Sequence, residues 1–569
     1  MIMYDRKMLR QSEIQALGFL ILLTSSITSI TIAPWAAYDP INLPKLLVLS
    51  VGGFGCCALL LTNGRVLTRT PYRLLTFLTC AFVINLSLVL FLSGSSFTKS
   101  FYGANGRATG FLAYFVLSVL FLASVISGSA INLRRATFFL ITTGFISTIY
   151  GIAQSTGLDP VKWVNRQSPV IGFLGNPDFQ SSMVGFSVVM VFALFLKAGT
   201  SLLVRGFFFT YELVALFVIK ETETQQGFLI AAGGVFIILM FYISKSKFAI
   251  LTKPLLATSV FALSFMVMGS LNVGPLASLL HQDSVIFRGD YWRAGWNMSI
   301  THPIFGVGLD NYGEWYTRSR TLAATLRRGA DITSDSAHNV LLDLSSNGGF
   351  PLLLLYLTLI VFVTRSALRI LRRSKSFDCY FAGVLATWAA YQAQSIISIN
   401  QLGLAVWGWV LSGLIIGFDI QSSNEIDTQN LTQVSQKEKN RKDIKSTRLA
   451  LTSVITVLVG FIVGLVLAAP PLSASVEYKS ARESGNVQTL IASAYKKPLD
   501  AVRMGEVAII LSDNKFENES VSIISDAAKL FPDHYGIWAV MAELPGISPE
   551  QVKLAKLQQK RLDPLDPEL

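Results

Sequence analysis

The chain has 569 residues, of which 52% are hydrophobic and 14% charged, and its mean hydropathy is +0.52. This composition is too apolar for a soluble fold and indicates a polytopic membrane protein, because a membrane-crossing helix needs roughly 20 apolar residues. The net charge of +12 does not indicate nucleic-acid binding, because the basic residues lie in short connections between apolar runs, where they orient helices. The four cysteines lie in or beside apolar runs without metal-ligand spacing, so neither a metal site nor a disulfide framework is predicted.

Thirteen apolar runs are predicted to cross the membrane, at about 14–36, 42–62, 72–93, 109–128, 136–155, 176–197, 202–220, 227–243, 250–272, 349–366, 378–397, 402–418 and 448–469. Every second connection is basic, which predicts that these connections and the N-terminus are cytoplasmic. The first run lacks a clear small-residue cleavage site and is therefore predicted to be a retained helix. The outer face then carries the C-terminal tail and the connections at 37–41, 94–108, 156–175, 221–226 and 273–348.

The predicted fold is all-α: a polytopic integral membrane protein of about 12–13 transmembrane helices with a large extracytoplasmic loop and a C-terminal soluble helical domain. Its predicted parts are a membrane domain at 1–420 with the outer loop 273–348, a flexible cytoplasmic linker at 421–447, a last transmembrane helix at 448–469, and a tail at 470–569. The tail has short amphipathic helix pairs that resemble tetratricopeptide-like repeats. Such repeats form concave surfaces for proteins, so a protein partner for the tail is one expectation and a plain helical cap is the other.

One ionisable residue, Glu212, lies in the middle of a predicted span. A charge at that depth is costly and is a functional-site hypothesis by default. Arg205 on the same helix or Lys45 on a neighbour is the expected partner, and a structural pair is favoured over a role in transport.

The largest polar interruption of the apolar pattern runs from 288 to 349. It contains Arg288 and Arg293, and arginine suits the binding of a diphosphate because it offers a permanent charge and a fixed fork of donors. It also contains His338, and a histidine that takes a proton from an attacking hydroxyl can contribute roughly 100- to 10,000-fold to a rate. Taken alone, each arginine could equally be a lipid-headgroup anchor and the histidine a packing residue.

The motifs of this region follow one order: Arg288, Trp292, His302-Pro303, Gly306-x-Gly308, His338-Asn339 and Gly348-Gly349. Three further phrases precede them, DPINLPK at 39–45, GANGRATGFLAYF at 103–115 and FLGNPDFQSSMV at 173–184. Together they resemble the O-antigen ligase and O-antigen polymerase superfamily over residues 38–420.

The resemblance implies a metal-independent, inverting glycosyltransferase without a cofactor, at the outer face of the bacterial cytoplasmic (inner) membrane. Its donor would be a glycan on undecaprenyl diphosphate, and its acceptor a hydroxyl of a glycan, a lipid or a protein. The product would belong to cell-surface polysaccharide, and membrane lipids would surround the enzyme. Carried over to this chain, His338 would be the base, Arg288 would bind the diphosphate and Asn339 would help fix the loop or the histidine. The other implied substrate contacts are Arg107, Arg293, Trp292, His302, Gln226 and Asp178.

Two of these contacts have alternatives. Arg107 could be a helix-end anchor. Asn176-Pro177-Asp178 predicts the start of a helix, with Pro near the first position and Asp at the positive helix end, and a sugar contact is the second interpretation for Asp178.

At one position the chain departs from the family pattern. Family members commonly carry a second arginine in a Thr-x-Ser-Arg-Gly phrase that opens a helix. Here the phrase is TETQQG at 222–227, with Gln226 at the place of the arginine. Glutamine can hydrogen-bond a phosphate but adds no charge. The candidates to compensate are Lys220, Arg293, Lys162 and Arg166.

Two other classes of function compete with the transferase. A transporter or flippase of the lipid-linked glycan would need ionisable or broken helices at matching positions in two halves, and Glu212 alone fits that pattern. A scaffold would explain the tail but not the polar loop. The enzyme is therefore favoured, while ligase, polymerase and protein O-oligosaccharyltransferase stay unseparated.

Overall fold

The structure is a computed structural model that describes residues 11–62, 64–163, 168–280, 283–330, 332–432 and 451–567. Within these ranges the regular secondary structure is entirely helical, and eleven helices are long and apolar enough to cross a membrane. Each of the thirteen predicted runs corresponds to a helix, but Phe111–Ser127 and Cys379–Ser395 have only 17 residues and are not among the eleven. The prediction of an all-α polytopic membrane fold is confirmed.

The first half of the membrane domain consists of α1 (Gln11–Ile30), α2 (Asn42–Thr62), α3 (Thr70–Leu92), α4 (Phe97–Tyr102), α5 (Phe111–Ser127), α6 (Ala130–Ser155), α7 (Pro177–Phe195), α8 (Leu202–Glu221), α9 (Gln226–Ser244) and α10 (Thr252–Ser270). Three short 3-10 turns lie at Gly64–Val66, Gly172–Leu174 and Ala249–Leu251.

The predicted outer loop is itself largely helical. It contains α11 (Ala277–Leu280), α12 (Asp283–Thr301), α13 (Tyr312–Ser319) and α14 (Leu322–Arg328). The membrane domain then resumes with α15 (Val340–Arg373), α16 (Cys379–Ser395) and α17 (Leu402–Thr432).

The tail contains α18 (Leu451–Ser484), α19 (Val487–Ala494), α20 (Ala501–Asp513), α21 (Glu517–Leu530), α22 (Tyr535–Glu543) and α23 (Pro549–Leu562). Because α18 is continuous, the border predicted between 469 and 470 lies inside a helix. Helix α17 runs through residue 432, so the start of the predicted linker 421–447 is helical, and its residues from 433 onward lie outside the described ranges.

The centre of the bundle is formed by α5, α7 and the part of α17 at Leu402–Ser423, which are largely apolar and almost completely buried, as expected for helices enclosed by others. A polar contact joins α1 to α17, because Trp407 Nε1 donates to Ser29 Oγ at 3.0 Å and Ser29 Oγ donates to the Gly403 carbonyl at 2.7 Å. Interhelical hydrogen bonds of this kind help hold helices together in a membrane.

The partner expected for Glu212 is not found where the sequence suggested. The buried Lys45 Nζ donates to the carbonyls of Ser29 and Thr31, at 3.1 and 2.7 Å, and so closes the end of α1 instead. Among the described residues no ion pair joins Glu212 to Arg205, and Glu212 Oε1 is buried without a hydrogen bond.

A kink in α15 connects the loop helices to the membrane domain. Gly349 has a φ of +77°, and a Cβ there would lie 2.3 Å from the Ile304 carbonyl oxygen, so only glycine fits. Beside the kink, Phe350 N donates to the Pro303 carbonyl at 2.8 Å and Val307 N to the Ser346 carbonyl at 2.8 Å. The first turns of α15, which follow His338, are therefore fixed against α12.

The tail is docked on the loop helices through buried polar contacts. Arg320 Nη2 lies 2.5 Å from Asp563 Oδ2, and both side chains are 1% exposed. Thr317 Oγ1 donates to the Leu562 carbonyl at 2.9 Å. The predicted tail domain therefore packs on the same end of the protein as the predicted outer loop.

Candidate functional site

The connections predicted on the outer face meet at one end of the bundle, which we call the loop end. Asn42 Nδ2 donates to the Gly106 carbonyl at 2.7 Å, and Arg107 Nη1 donates to the Asp335 carbonyl at 3.1 Å. Residues far apart in the sequence are thus brought into one polar region above the membrane helices.

Arg107 lies at the centre of what we call the Arg107 cluster, with Asp310, Asp335 and Asp343. Its Nε is 3.1 Å from Asp310 Oδ1, its Nη1 3.6 Å from Asp335 Oδ1 and its Nη2 3.8 Å from Asp343 Oδ2. Burial by itself would lower the pKa of Arg107, but the three carboxylates outweigh it and raise the pKa above its ordinary value. With its charge matched in this way, Arg107 acts first as a clamp between two segments of the chain.

The loop that presents Arg107 is shaped around Asp310. Asp310 Oδ2 accepts hydrogen bonds from Ala104 N at 2.7 Å and Thr109 N at 3.2 Å. Gly103 makes this possible: its φ is +99°, and a Cβ there would lie 2.7 Å from Asp310 Oδ2. The GANGRATG phrase is therefore built to hold a carboxylate as well as to present an arginine.

His338 is held in a left-handed backbone conformation, with φ +49°. Such a conformation is strained for a residue with a side chain and persists where neighbours enforce it. Here Ala337 N donates to Asp343 Oδ1 at 2.8 Å, and Asn339 Oδ1 caps α15 by accepting from Leu341 N and Leu342 N. Both neighbours of His338 are thus anchored, which fixes the direction of its side chain.

The imidazole of His338 stacks on the ring of Tyr291, with centroids 5.1 Å apart and planes at 23°. Burial lowers its pKa to about 4; Asp335 opposes this shift, while Arg288, Arg107 and Arg328 add to it. His338 is therefore neutral near pH 7 and can accept a proton. Its ring nitrogens make no hydrogen bond to any described residue.

Arg288 lies on α12, close enough to act electrostatically on both His338 and Asp178. It is half-buried and forms no ion pair with the residues that the structure describes. Trp292, one turn further along the helix, has its Nε1 buried without a hydrogen-bond partner among the described residues. Arg293 is exposed, and five residues along a helix place it roughly 140° around the axis from Arg288.

Arg328, at the end of α14, is a site residue that the sequence analysis missed. Its guanidinium carbon lies 4.3 Å from the ring centroid of Phe287 and 4.9 Å from that of Tyr291. Its Nη1 is buried and lacks a hydrogen-bond partner in the described part of the chain. The neighbouring Arg327, by contrast, is paired with Asp290 at 3.0 Å. A signal was present in the sequence, because Phe287 and Tyr291 share one helix face and arginine stacks on aromatic rings.

Gln226, at the departure from the family pattern, is buried at the start of α9. Its Nε2 donates to Ser182 Oγ at 2.9 Å, and its Oε1 is buried without a partner among the described residues. Of the residues considered as replacements for the missing charge, Lys220 is exposed and pairs with Glu221 at 3.5 Å, and Lys162 is exposed. Arg166 lies outside the described residues.

Of the two interpretations made for Asp178, the structure confirms the helix start, while the sugar contact stays a prediction. Helix α7 begins at Pro177, and Asn176 Oδ1 accepts from Asp178 N at 2.9 Å, which confirms the predicted helix start. The carboxylate of Asp178 also lies near Thr224 and Arg288. It is therefore placed to orient that arginine.

His302 lies away from this group. It follows the last turn of α12, roughly 20 Å along the helix from Arg288. Its ring packs against Trp315 at 4.6 Å, and its Nδ1 is 3.0 Å from Thr301 Oγ1. The structure thus brings together His338, Arg288, Arg107, Asn339 and Asp178, while His302 and Arg293 point elsewhere or lie further off.

Comparison with known proteins agrees with the motifs. Residues 179–357 match the family model described as O-antigen ligase, and this segment contains Gln226, Arg288, Arg328 and His338. The resemblance predicted from the sequence is thereby confirmed over residues 179–357, while the tetratricopeptide-like character of the tail stays a prediction. No curated protein matches the chain. Within the described ranges, no three His, Cys, Asp or Glu side chains are grouped so that they could hold a metal ion.

Proposed function

We propose a specific reaction for this chain, whose O-antigen ligase domain at residues 179–357 makes it a multi-pass membrane enzyme of cell-surface glycan assembly. The reaction is transfer of a glycan from undecaprenyl diphosphate to an acceptor hydroxyl, with inversion at the anomeric carbon and without a metal. It takes place at the outer face of the bacterial cytoplasmic membrane, with the N-terminus in the cytoplasm and the tail outside.

The observation that carries the proposal is a neutral, buried histidine beside two arginines that form no ion pair with a described residue. As the bond between the anomeric carbon and the diphosphate oxygen breaks, negative charge grows on the leaving group. Arg288 and Arg328, which we call the open arginine pair, would bind that charge. Arg328 would supply the cation that Gln226 does not.

His338 would accept the proton of the acceptor hydroxyl while its oxygen attacks the anomeric carbon from the face opposite the diphosphate. One carbon–oxygen bond forms and one breaks in a single displacement, which inverts the configuration. The proton rests on His338, and Asp335, whose charge opposes the fall in the pKa of His338, stabilises the imidazolium. Asn339 and Asp343 hold the histidine in position through the start of α15.

His302 and Arg293 have no part in this chemistry, because one packs against Trp315 and the other is exposed. Arg293 lies on α12 like Arg288, and His302 directly follows that helix, so both positions provide matched controls. Glu212, the residue that suggested transport, has no ionisable group paired to it in the described residues, so a transporter is not proposed.

The test is transfer by purified protein in nanodiscs, with an undecaprenyl-diphosphate glycan and a panel of glycan, lipid and peptide acceptors. We expect His338→Ala and Arg288→Ala to fold but to release undecaprenyl diphosphate about 100-fold more slowly or worse. The controls His302→Ala and Arg293→Ala should keep most of the wild-type rate.

If His338→Ala turns over like the wild type, the base has been assigned wrongly and the proposed site fails. The acceptor that is used decides among ligase, polymerase and protein O-oligosaccharyltransferase.

A further inference from the structure

A cavity of about 440 Å³ lies between the loop end and the tail, and we call it the tail cavity. This volume falls within the range of ligand pockets, roughly 300–1,000 Å³. One wall comes from α4, α13 and the GANGRATG loop, and the other from α18, α20 and α22. Its polar lining includes Tyr38, Lys99, Asp335, Asp500, His534 and Tyr535.

Contacts at its edges hold the two walls of the tail cavity together. Tyr38 OH donates to Glu506 Oε1 at 3.0 Å, and Asp39 N donates to Ser475 Oγ at 2.9 Å. The buried ion pair of Arg320 and Asp563 fixes the tail on the adjoining loop helices. The cavity therefore belongs to the folded protein and exists only because the tail is docked.

The lining of the tail cavity is acidic. Among the described residues, it contains the carboxylates of Asp39, Asp310, Glu314, Asp335 and Asp500 but the side chains of only two cations, Lys99 and Arg503. Lys99 is paired with Glu314 at 2.8 Å, and Arg503 donates to the carbonyl oxygens of Lys496 and Pro498. Because both lining cations are already engaged, the cavity is unsuited to a diphosphate, in contrast to the open arginine pair.

The chemistry of the lining favours a neutral ligand rich in hydroxyl groups. Carboxylates accept hydrogen bonds from hydroxyls, and tyrosines offer an apolar ring with a polar tip. Tyr38, Tyr102, Tyr478 and Tyr535 all line the cavity. His534 adds a further polar group, because its Nδ1 is buried without a partner among the described residues. A saccharide chain presents both the hydroxyls and the apolar ring faces that such a lining can bind.

The tail cavity also shares a wall with the proposed active site. Asp310 and Asp335 line the cavity and at the same time belong to the Arg107 cluster. Asp335 is three residues before His338 and acts electrostatically on its imidazole. A chain bound in the cavity would thus lie beside a carboxylate that acts electrostatically on His338.

We propose that the tail cavity, which the tail covers, binds the acceptor as a neutral saccharide chain and directs its terminal hydroxyl toward His338. This inference rests on the proposed transfer reaction. The donor diphosphate would bind on the side of His338 that carries the open arginine pair. The acceptor would bind on the other side, in the acidic tail cavity. The tail would then have a role in substrate binding rather than in recruiting a partner protein.

The experiment compares two tryptophan substitutions on α20. Val502 is 38% exposed and lines the cavity, whereas Ile509 is 40% exposed and does not. Full-length protein in nanodiscs is given the undecaprenyl-diphosphate glycan, and the acceptor is the oligosaccharide released from the same donor by mild acid. Val502→Trp should raise the acceptor KM by about tenfold or more while the donor KM is unchanged, and Ile509→Trp should behave like the wild type.

Three outcomes would overturn the inference. Equal acceptor KM values for both variants would show that the cavity is not used. A rise in the donor KM would make it a donor site. Transfer to a serine peptide but not to the oligosaccharide, with Val502→Trp defective, would replace the saccharide by a protein acceptor.

Direct binding separates this inference from the proposed function. The same oligosaccharide should bind to wild type and to His338→Ala but not to Val502→Trp, measured by saturation-transfer NMR. If wild type does not transfer but binding follows this pattern, the proposed reaction fails while the saccharide site stands. If transfer occurs and His338→Ala abolishes it, but Val502→Trp binds the oligosaccharide normally, only the cavity inference fails.

Discussion

The Arg107 cluster and the open arginine pair lie at the same end of the protein and act on the same histidine, yet their arginines are used in opposite ways. Arg107 is 5% exposed on its side chain and has carboxylates at 3.1, 3.6 and 3.8 Å. Arg288 and Arg328 form no ion pair with any described residue, and Arg328 rests on aromatic rings. A matched charge holds segments of the chain together, whereas an unmatched charge is available to a ligand. If the proposed reaction is right, a structural arginine differs from a phosphate-binding one in its partners, and not in residue type or in proximity to His338.

The largest effect is expected from Arg107→Ala. The substitution leaves Asp310 and Asp343, which are 3% and 5% exposed on their side chains, without their cation. Removing one partner of a buried ion pair is destabilising by roughly 3–5 kcal/mol. Thermal unfolding of the purified protein should therefore show a clear loss of stability. Arg288→Ala is the comparison and should lose transfer at nearly wild-type stability. If Arg107→Ala were as stable as the wild type and raised only the donor KM, Arg107 would belong with the open arginine pair.

A smaller effect is expected from Arg328→Ala. A hydrogen bond to a charged group contributes about 1.5–3 kcal/mol, so kcat/KM for the donor should fall roughly 10- to 100-fold. Its neighbour Arg327 is the matched control. Because Arg327 is already paired with Asp290 at 3.0 Å, Arg327→Ala should leave kcat/KM for the donor nearly unchanged. Steady-state kinetics with varied donor would measure both. Equal effects of the two substitutions would mean that unpaired charge is not what the donor binds.

Features set by local sequence were predicted well. The apolar runs gave the membrane helices, because a stretch of roughly 20 apolar residues has few alternatives to a span. The start of α7 at Pro177 followed from the capping residue Asn176. The interruption from 288 to 349 was located correctly, but its helical content was missed, because a polar segment shows little apolar periodicity when it packs on other helices.

Features set by tertiary packing were not predicted. The carboxylates around Arg107 lie more than 200 residues away in sequence, at Asp310, Asp335 and Asp343. The role of Arg328 depends on how α14 packs against α12, and the tail cavity depends on how the tail docks. In each case the sequence supplies the chemical groups but not their partners, and here the partners decide the function.

The smallest effect is expected from a change of pH, and it tests whether both kinds of arginine act on His338 together. Burial lowers the pKa of His338 to about 4, with the three arginines adding to the shift. In the proposed mechanism the neutral form is the active base, so kcat/KM should change less than about twofold between pH 8 and 5 and fall tenfold per unit below about 4. An unshifted histidine, with a pKa of about 6.5, would already have lost most of its activity at pH 5.

The fall in rate at low pH, which we call the acidic limb, should shift to higher pH when diphosphate is bound. Its negative charge offsets that of the arginines, so the limb in kcat, which reports the complex, should lie at higher pH than the limb in kcat/KM, which reports the free enzyme. Asp335→Asn removes the charge that opposes the fall in the pKa of His338 and should move the kcat/KM limb to lower pH.

The stability of the fold should depend on the same histidine. Between pH 6.5 and 4 His338 is protonated in the unfolded chain but not in the folded protein, so the free energy of unfolding falls as the pH drops through that window. A kcat/KM limb near 6.5 in the wild type would mean either that the base is not His338 or that neither burial nor the arginines shift its pKa.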